Sequence, residues 1–96
     1  MNRGIEVKLD MKRHLRVTAD ALAAYERVTG RQLLAKATMS NLSLRDVVVI
    51  VWALLLHEDE TLKIDDVGDM IKPLTNMKEL IYKVAEAWDI YIRELG

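Results

Sequence analysis

Residues Ser43–His57 read SLRDVVVIVWALLLH, with ten apolar side chains in a row from Val47 to Leu56 and no charge among them. Such a run has to be buried. As a helix it rises about 1.5 Å per residue and covers roughly 15 Å, about half the hydrocarbon thickness a spanning helix must cross, so it is not a transmembrane segment. Val47, Val48, Val49, Ile50 and Val51 are β-branched and would suit a strand, and periodicity cannot decide an all-apolar run. The flanks decide for helix. Ser43 is placed to act as N-cap with Asp46 three residues on, a variant of the capping box whose carboxylate also lies at the positive end of the helix dipole. His57 closes the far end. A helix apolar on every side needs cover on every side, so the segment of about 44–57 is expected to be the central helix of the domain.

The 96 residues suffice for one domain, 1–96, with a thin core that removes roughly 60–65% of the unfolded chain's surface from water. At 51% hydrophobic and 30% charged the composition is that of a globular protein and not of a disordered one. Cysteine is absent, which excludes a disulfide framework and thiolate zinc sites. The segment MNRGIEVKLD has no apolar h-region, so no secretory signal is expected and the cytoplasm is the default location. Net charge is −1, but unevenly spread: residues 1–36 hold eight Lys/Arg against four acids, and the remaining sixty hold six against eleven. Such polarity can orient partners or identical subunits head to tail, and it is also compatible with an ordinary solvated surface.

Before the central helix, Ile5, Val7 and Leu9 alternate with Glu6, Lys8 and Asp10, and Leu15 and Val17 alternate with His14 and Arg16. Both runs have the period of half-buried strands, so an N-terminal β-hairpin over about 4–17 is expected, linked through Asp10-Met11-Lys12-Arg13. Because an isolated hairpin is marginal, its apolar face must lie on helices or its edge must pair with another chain. Thr18 is a candidate N-cap for a helix over Ala19–Thr29 with Gly30 as the left-handed residue beyond its end and Leu22, Tyr25 and Val28 as its inner stripe. A short helix over Gln32–Ala37 and a connection over Thr38–Leu42 lead to the central helix.

Past the acidic connection 58–61, Ile64–Ile71 reads as a short helix stopped by Pro73. Gly68 inside it costs about 1 kcal/mol relative to alanine, which a close helix–helix approach would explain. Thr75 would cap the longest helix, about 76–95, whose stripe is Met77, Leu80, Ile81, Val84, Trp88, Tyr91, Ile92 and Leu95. The fold class expected is thus mainly α (α+β). Since chain ends usually fray, the large side chains of Trp88, Tyr91, Ile92 and Leu95 either cover the central helix or present a surface of the kind partners bind.

No catalytic constellation is evident. His57-Glu58-Asp59-Glu60-Thr61 lacks the second histidine of HExxH, and the acidic stretch 59–69 lacks the ligand spacing of an EF-hand loop. The four glycines form neither a P-loop nor a dinucleotide fingerprint, and Ser40 and Ser43 sit at turn or cap positions. No metal, no cofactor and no enzymatic activity are expected. Lys8, Lys12, Arg13, His14 and Arg16 crowd the hairpin, and a basic β-ribbon can enter a nucleic-acid groove. The basic excess is small and no aromatic residue interleaves with it to stack bases, which argues against a DNA-binding or regulatory module.

Read in order, several short stretches converge. Arg3-Gly4 opening a hairpin, Leu15-Arg16-Val17-Thr18, Ala21-Leu22 followed by Tyr25-Glu26, Thr29-Gly30, and Leu44-Arg45-Asp46 leading into Val51-Trp52-Ala53-Leu54 resemble the tail assembly chaperones of long-tailed phages and gene transfer agents, a family once described as tail tube proteins. The stretch from Thr61 to Ile71 is similar to that family's acidic helix entering a V-G-[DE]-x-I pattern. The resemblance runs from about Arg3 to about Trp88. Asp10-Met11 stands where the family has an Asp-Gly turn, and Lys63 where it has a capping Ser or Thr. The resemblance implies a non-enzymatic protein that coats the tape measure protein until tail tube subunits polymerise around it; the partners expected are the tape measure protein, the tail tube protein and further copies of the chain, with no membrane. A structural tail component is the neighbouring alternative. The partner-binding residues expected are Trp88, Tyr91, Ile92 and Leu95 on the last helix, with Lys12, Arg13 and Arg16 on the hairpin.

Overall fold

In the computed structural model, which describes residues 4–33, 42–72 and 74–95, the chain runs β1 (Ile5–Lys8), β2 (Lys12–Leu15), α1 (Ala19–Thr29), α2 (Leu44–Leu55), α3 (Ile64–Met70) and α4 (Met77–Leu95). The mainly helical α+β architecture expected from the sequence is present. Both halves of the capping box start α2: the Asp46 N–H donates to Ser43 Oγ at 3.1 Å, and the Ser43 N–H donates to Asp46 Oδ2 at 3.3 Å. Eight of its residues are buried, with Ile50, Val51, Leu54 and Leu55 wholly so. Cover comes from β2, α1, α3 and α4, all of which pack on it. Each fully buried aliphatic side chain here contributes about 1.5–3 kcal/mol, so this helix dominates the core. It ends two residues sooner than expected. The N–H groups of Glu58 and Asp59 both fold back on Leu55 O, at 3.0 and 3.2 Å, and His57 lies in the turn beyond the helix.

The hairpin is antiparallel with Ile5 opposite Leu15 and Val7 opposite Arg13. Val7 and Leu15 are buried against the helices, whereas Glu6, Lys8 and Lys12 face water. Its connection is Leu9-Asp10-Met11, so β2 begins inside the link read from the sequence. That register puts Arg13 on the inner face, a correction to its expected role as an outward base. The Asp10 carboxylate at the tip holds the guanidinium by a two-pronged contact, Nε to Oδ1 at 2.8 Å and Nη2 to Oδ2 at 2.9 Å. At the start of β1, Gly4 has φ +97, and a Cβ there would stand 2.5 Å from Leu15 O.

Thr18 caps α1 by accepting the Ala21 N–H at 3.0 Å, and Gly30, at φ +71, donates its N–H to Glu26 O at 2.7 Å. The helix is rotated from the expected stripe: Ala21, Ala24 and Tyr25 are buried, Leu22 is half-buried and Val28 is exposed. Two alanines let the backbone approach α2 closely, which a leucine–valine stripe would not. The expected helix over Gln32–Ala37 and connection over Thr38–Leu42 fall for the most part on 34–41, and Pro73 stands alone; these lie outside the described residues.

α3 stops at Met70, leaving Ile71 extended and buried. Its capping box is half made, because the Lys63 N–H donates to Asp66 Oδ2 at 3.1 Å but a lysine side chain has no acceptor to return. α4 is preceded by Asn76, and the exposed Thr75 is not its cap. Asn76 Oδ1 accepts the Lys72 N–H at 2.7 Å and its Nδ2 donates to Met70 O at 3.0 Å, so one side chain ties the end of α3 to the start of α4.

Candidate interaction surface

The two groups of residues expected to bind partners are treated differently by the fold. On α4, Trp88 belongs to the core at 8% exposure and its ring lies 5.7 Å from that of the half-buried Tyr91. Ile92 and Leu95 are 45% and 68% exposed. The four are therefore two pairs: an inner pair that closes the core and an outer pair one turn further on that faces solvent. The last buried residue of this 19-residue helix is Trp88, and the stripe continues for two more turns beyond it. Tyr82, 65% exposed, also projects from α4; the sequence reading passed over it because it lies off the 3–4 stripe.

On the hairpin, Lys12 is exposed and 3.9 Å from Glu6 Oε1. Arg13 is buried, its Nη1 also 3.9 Å from Asp59 Oδ2. Arg16 is half-buried just past β2, where its N–H donates to Leu54 O at 3.1 Å. A continuous outward basic ribbon is thus not formed. The hydrogen bond from Arg13 holds the Asp10 carboxyl below the usual carboxylate range, and the same contact holds the guanidinium pKa above its ordinary value.

A cluster that sequence reasoning missed joins the hairpin to the turn after α2. The His14 N–H donates to Glu58 Oε1 at 2.7 Å, His14 Nδ1 lies 2.7 Å from Glu58 Oε2, and His57 Nε2 donates to His14 O at 2.7 Å. Burial alone would raise the Glu58 carboxyl, but the backbone and ring hydrogen bonds from His14, with the charges of His14 and His57, bring it below the usual range. Asp59 is lowered as well, by the hydroxyl and N–H of Thr61. No local pattern announces these contacts, since the partners are more than forty positions apart. Their chemistry is structural: the carboxylate and imidazole occupy backbone groups on the outer edge of β2.

Beside this turn lies a shallow cleft lined by Thr18, Asp20, Ala24, Arg27, His57 and Glu60. Thr18 Oγ1 accepts the Ala21 N–H, and His57 Nε2 donates to the His14 carbonyl. No group of three or more His, Asp or Glu side chains among the described residues could hold a metal ion. No helix among them is long and apolar enough to cross a membrane. Comparisons with protein-family models, with curated proteins and with solved structures found no match to this chain.

Proposed function

We propose that this chain is a non-enzymatic tail assembly chaperone of a phage or prophage, which self-associates and holds the tape measure protein until tail tube subunits polymerise around it. The observation that carries the reading is the outer end of α4, where Ile92 and Leu95 offer apolar side chains that the fold does not use. An amphipathic helical client is recognised by such anchors, and several weak contacts along a long client add up through effective concentration. The short matches to the chaperone family also fall on elements they would have to build: Thr29-Gly30 ends α1, Leu44-Arg45-Asp46 is the first turn of α2, and Val67-Gly68-Asp69 lies in α3.

The test is co-expression with the tape measure protein expected from the same gene cluster. The client should stay soluble and be recovered in complex, and a double change of Ile92 and Leu95 to serine should lower recovery while the chaperone remains folded. An insoluble client with no complex recovered overturns the proposal. Mass spectrometry of purified particles separates it from a structural tail component, which alone would be present stoichiometrically.

A further inference from the structure

A two-stranded hairpin has two edges, and here the rest of the fold blocks one of them at its middle and leaves the other open. Antiparallel strands alternate between residues whose N–H and C=O face the neighbouring strand and residues whose groups face away. The parity here is fixed by observation. His14 N–H and C=O are taken by Glu58 and His57, the Arg16 N–H by Leu54 O, and at the tip the Leu9 N–H returns to Met11 O at 3.0 Å. Even-numbered residues therefore point outward, on β1 as on β2, given the pairing of Glu6 with His14 and Lys8 with Lys12. On β2 both outward groups of His14, at the middle of the strand, are occupied, and so is the Arg16 N–H just past its end. On β1 the N–H and C=O groups of Glu6 and Lys8 have no hydrogen-bond partner among the described residues.

The side chains on that strand are unbalanced in the same place. Glu6 and Lys8 are both exposed. Lys8 stands directly opposite Lys12, an unfavourable pairing of like charges. The Glu6 carboxylate reaches Lys12 only at 3.9 Å, and Lys8 has no carboxylate partner among the described residues.

We propose that the open edge of β1 pairs antiparallel with β1 of a second copy of this chain, about a two-fold axis at Val7. In that register Glu6 of each copy faces Lys8 of the other, and both are outward-pointing residues, so each pair exchanges two backbone hydrogen bonds and brings opposite charges together. Val7 meets Val7 on the inner face. Slipping the strands by one residue sets outward groups against inward ones. Slipping by two sets Glu6 against Glu6, or Lys8 against Lys8. The four-residue strand thus specifies a single self-complementary register. Lysine on an edge strand commonly discourages pairing; a glutamate two residues away turns that deterrent into a selector for an identical strand. The result is a four-stranded sheet whose two outer edges are each blocked at His14 by the turn after α2.

This gives a surface to the self-association proposed above and is read on the purified chain alone, so its failure and that of client binding are told apart. Sedimentation of the chain over a concentration series should show a monomer–dimer equilibrium that weakens with salt. Glu6→Lys and Lys8→Glu should each weaken dimerisation at least tenfold, by setting like charges opposite one another twice. Mixing those two variants should restore a heterodimer, and the double variant E6K/K8E should restore a homodimer; both rescues exclude damage to the hairpin. The double change of Ile92 and Leu95 to serine should leave dimerisation unchanged. A wild-type chain that stays monomeric throughout, a dimer indifferent to both charge reversals, failure of the mixture to associate, or a dimer lost with the α4 changes overturns the proposal.

Discussion

Gly68 lies inside α3, where a glycine costs about 1 kcal/mol relative to alanine. Sequence alone suggests that it is there because another helix approaches too closely for a side chain. The geometry gives the opposite sign. A Cβ at position 68 would meet Val48 Cγ1 of α2 at 3.9 Å, an ordinary van der Waals contact, and its φ is not in the left-handed region. Gly68→Ala should therefore gain the helix propensity, reduce the freedom of the unfolded chain and place a half-buried methyl against Val48, where full burial of such a group is worth up to about 0.8 kcal/mol. A net gain of about 1 kcal/mol raises Tm by about 4–8 °C in a domain of this size. Thermal melts followed by far-ultraviolet circular dichroism, with urea titrations at constant m-value, measure it. A lower Tm would mean that Val48 cannot accept the methyl, and would refute the reasoning. Gly30→Ala is the matched control. Nothing lies within 4 Å of its Cβ position, yet at φ +71 the alanine pays left-handed strain of about 1–2 kcal/mol, so Tm should fall. Space and conformation are thereby separated at two glycines of one chain.

Tyr25 is fully buried, burial pushes its phenol pKa up, and its hydroxyl has no hydrogen-bond partner among the described residues. Tyr25→Phe should be neutral or gain up to about 1 kcal/mol in a urea titration, because it removes an unsatisfied polar atom. Trp88→Ala should cost about 3–5 kcal/mol, a large share of a small domain's stability, whereas Leu95→Ser should stay within about 0.5 kcal/mol; the same titration measures both. Asp10 and Glu58 have carboxyl groups held below their unfolded values, so their stabilisation is complete above about pH 4–5 and is lost as pH falls through the folded-state values. The urea midpoint should be level between neutrality and about pH 5 and then decline, and Arg13→Met should flatten part of that decline by releasing Asp10.

The central helix was legible because its signals agree at two levels. Ten apolar residues demand burial, and Ser43 with Asp46 supplies a start whose geometry needs nothing from the rest of the fold. Thr18 and Gly30 were legible for the same reason, each acting within four residues of its own position. What failed to show in the sequence is what depends on neighbours distant in the chain. Arg13 reads as a surface base until the three-residue tip sets the register, after which it faces inward with Asp10 as its counter-ion. Val28 fits a helical stripe by spacing, but the alanine face wins because it allows closer packing on α2. Thr75 and Asn76 are both good caps by composition, but Asn76 spends its side chain backwards on the Lys72 N–H and Met70 O, a long-range use that composition does not show. At the candidate surface, the boundary between Trp88 and Ile92 was invisible because periodicity gives a stripe and not the place where its cover ends.

The clamp at the end of α2 links the fold to its proposed associations. A central helix that ended in open solvent would leave its last carbonyls, and both edges of the hairpin, to water. Instead the chain turns at Leu55, and the next residues place His57 and Glu58 on the backbone of His14 while Leu54 O takes the Arg16 N–H. The β2 edge is thereby blocked at its middle, and in the proposed dimer the second copy adds to β1, whose charges would choose the register. The outer end of α4 shares no residue with that edge. Under the two proposals, a chain with one self-complementary edge and one separate apolar helix end would pair with its own kind and still hold a client, presenting anchors in twos along an extended partner. For weak single contacts that arrangement multiplies residence on the client without any stronger contact being made.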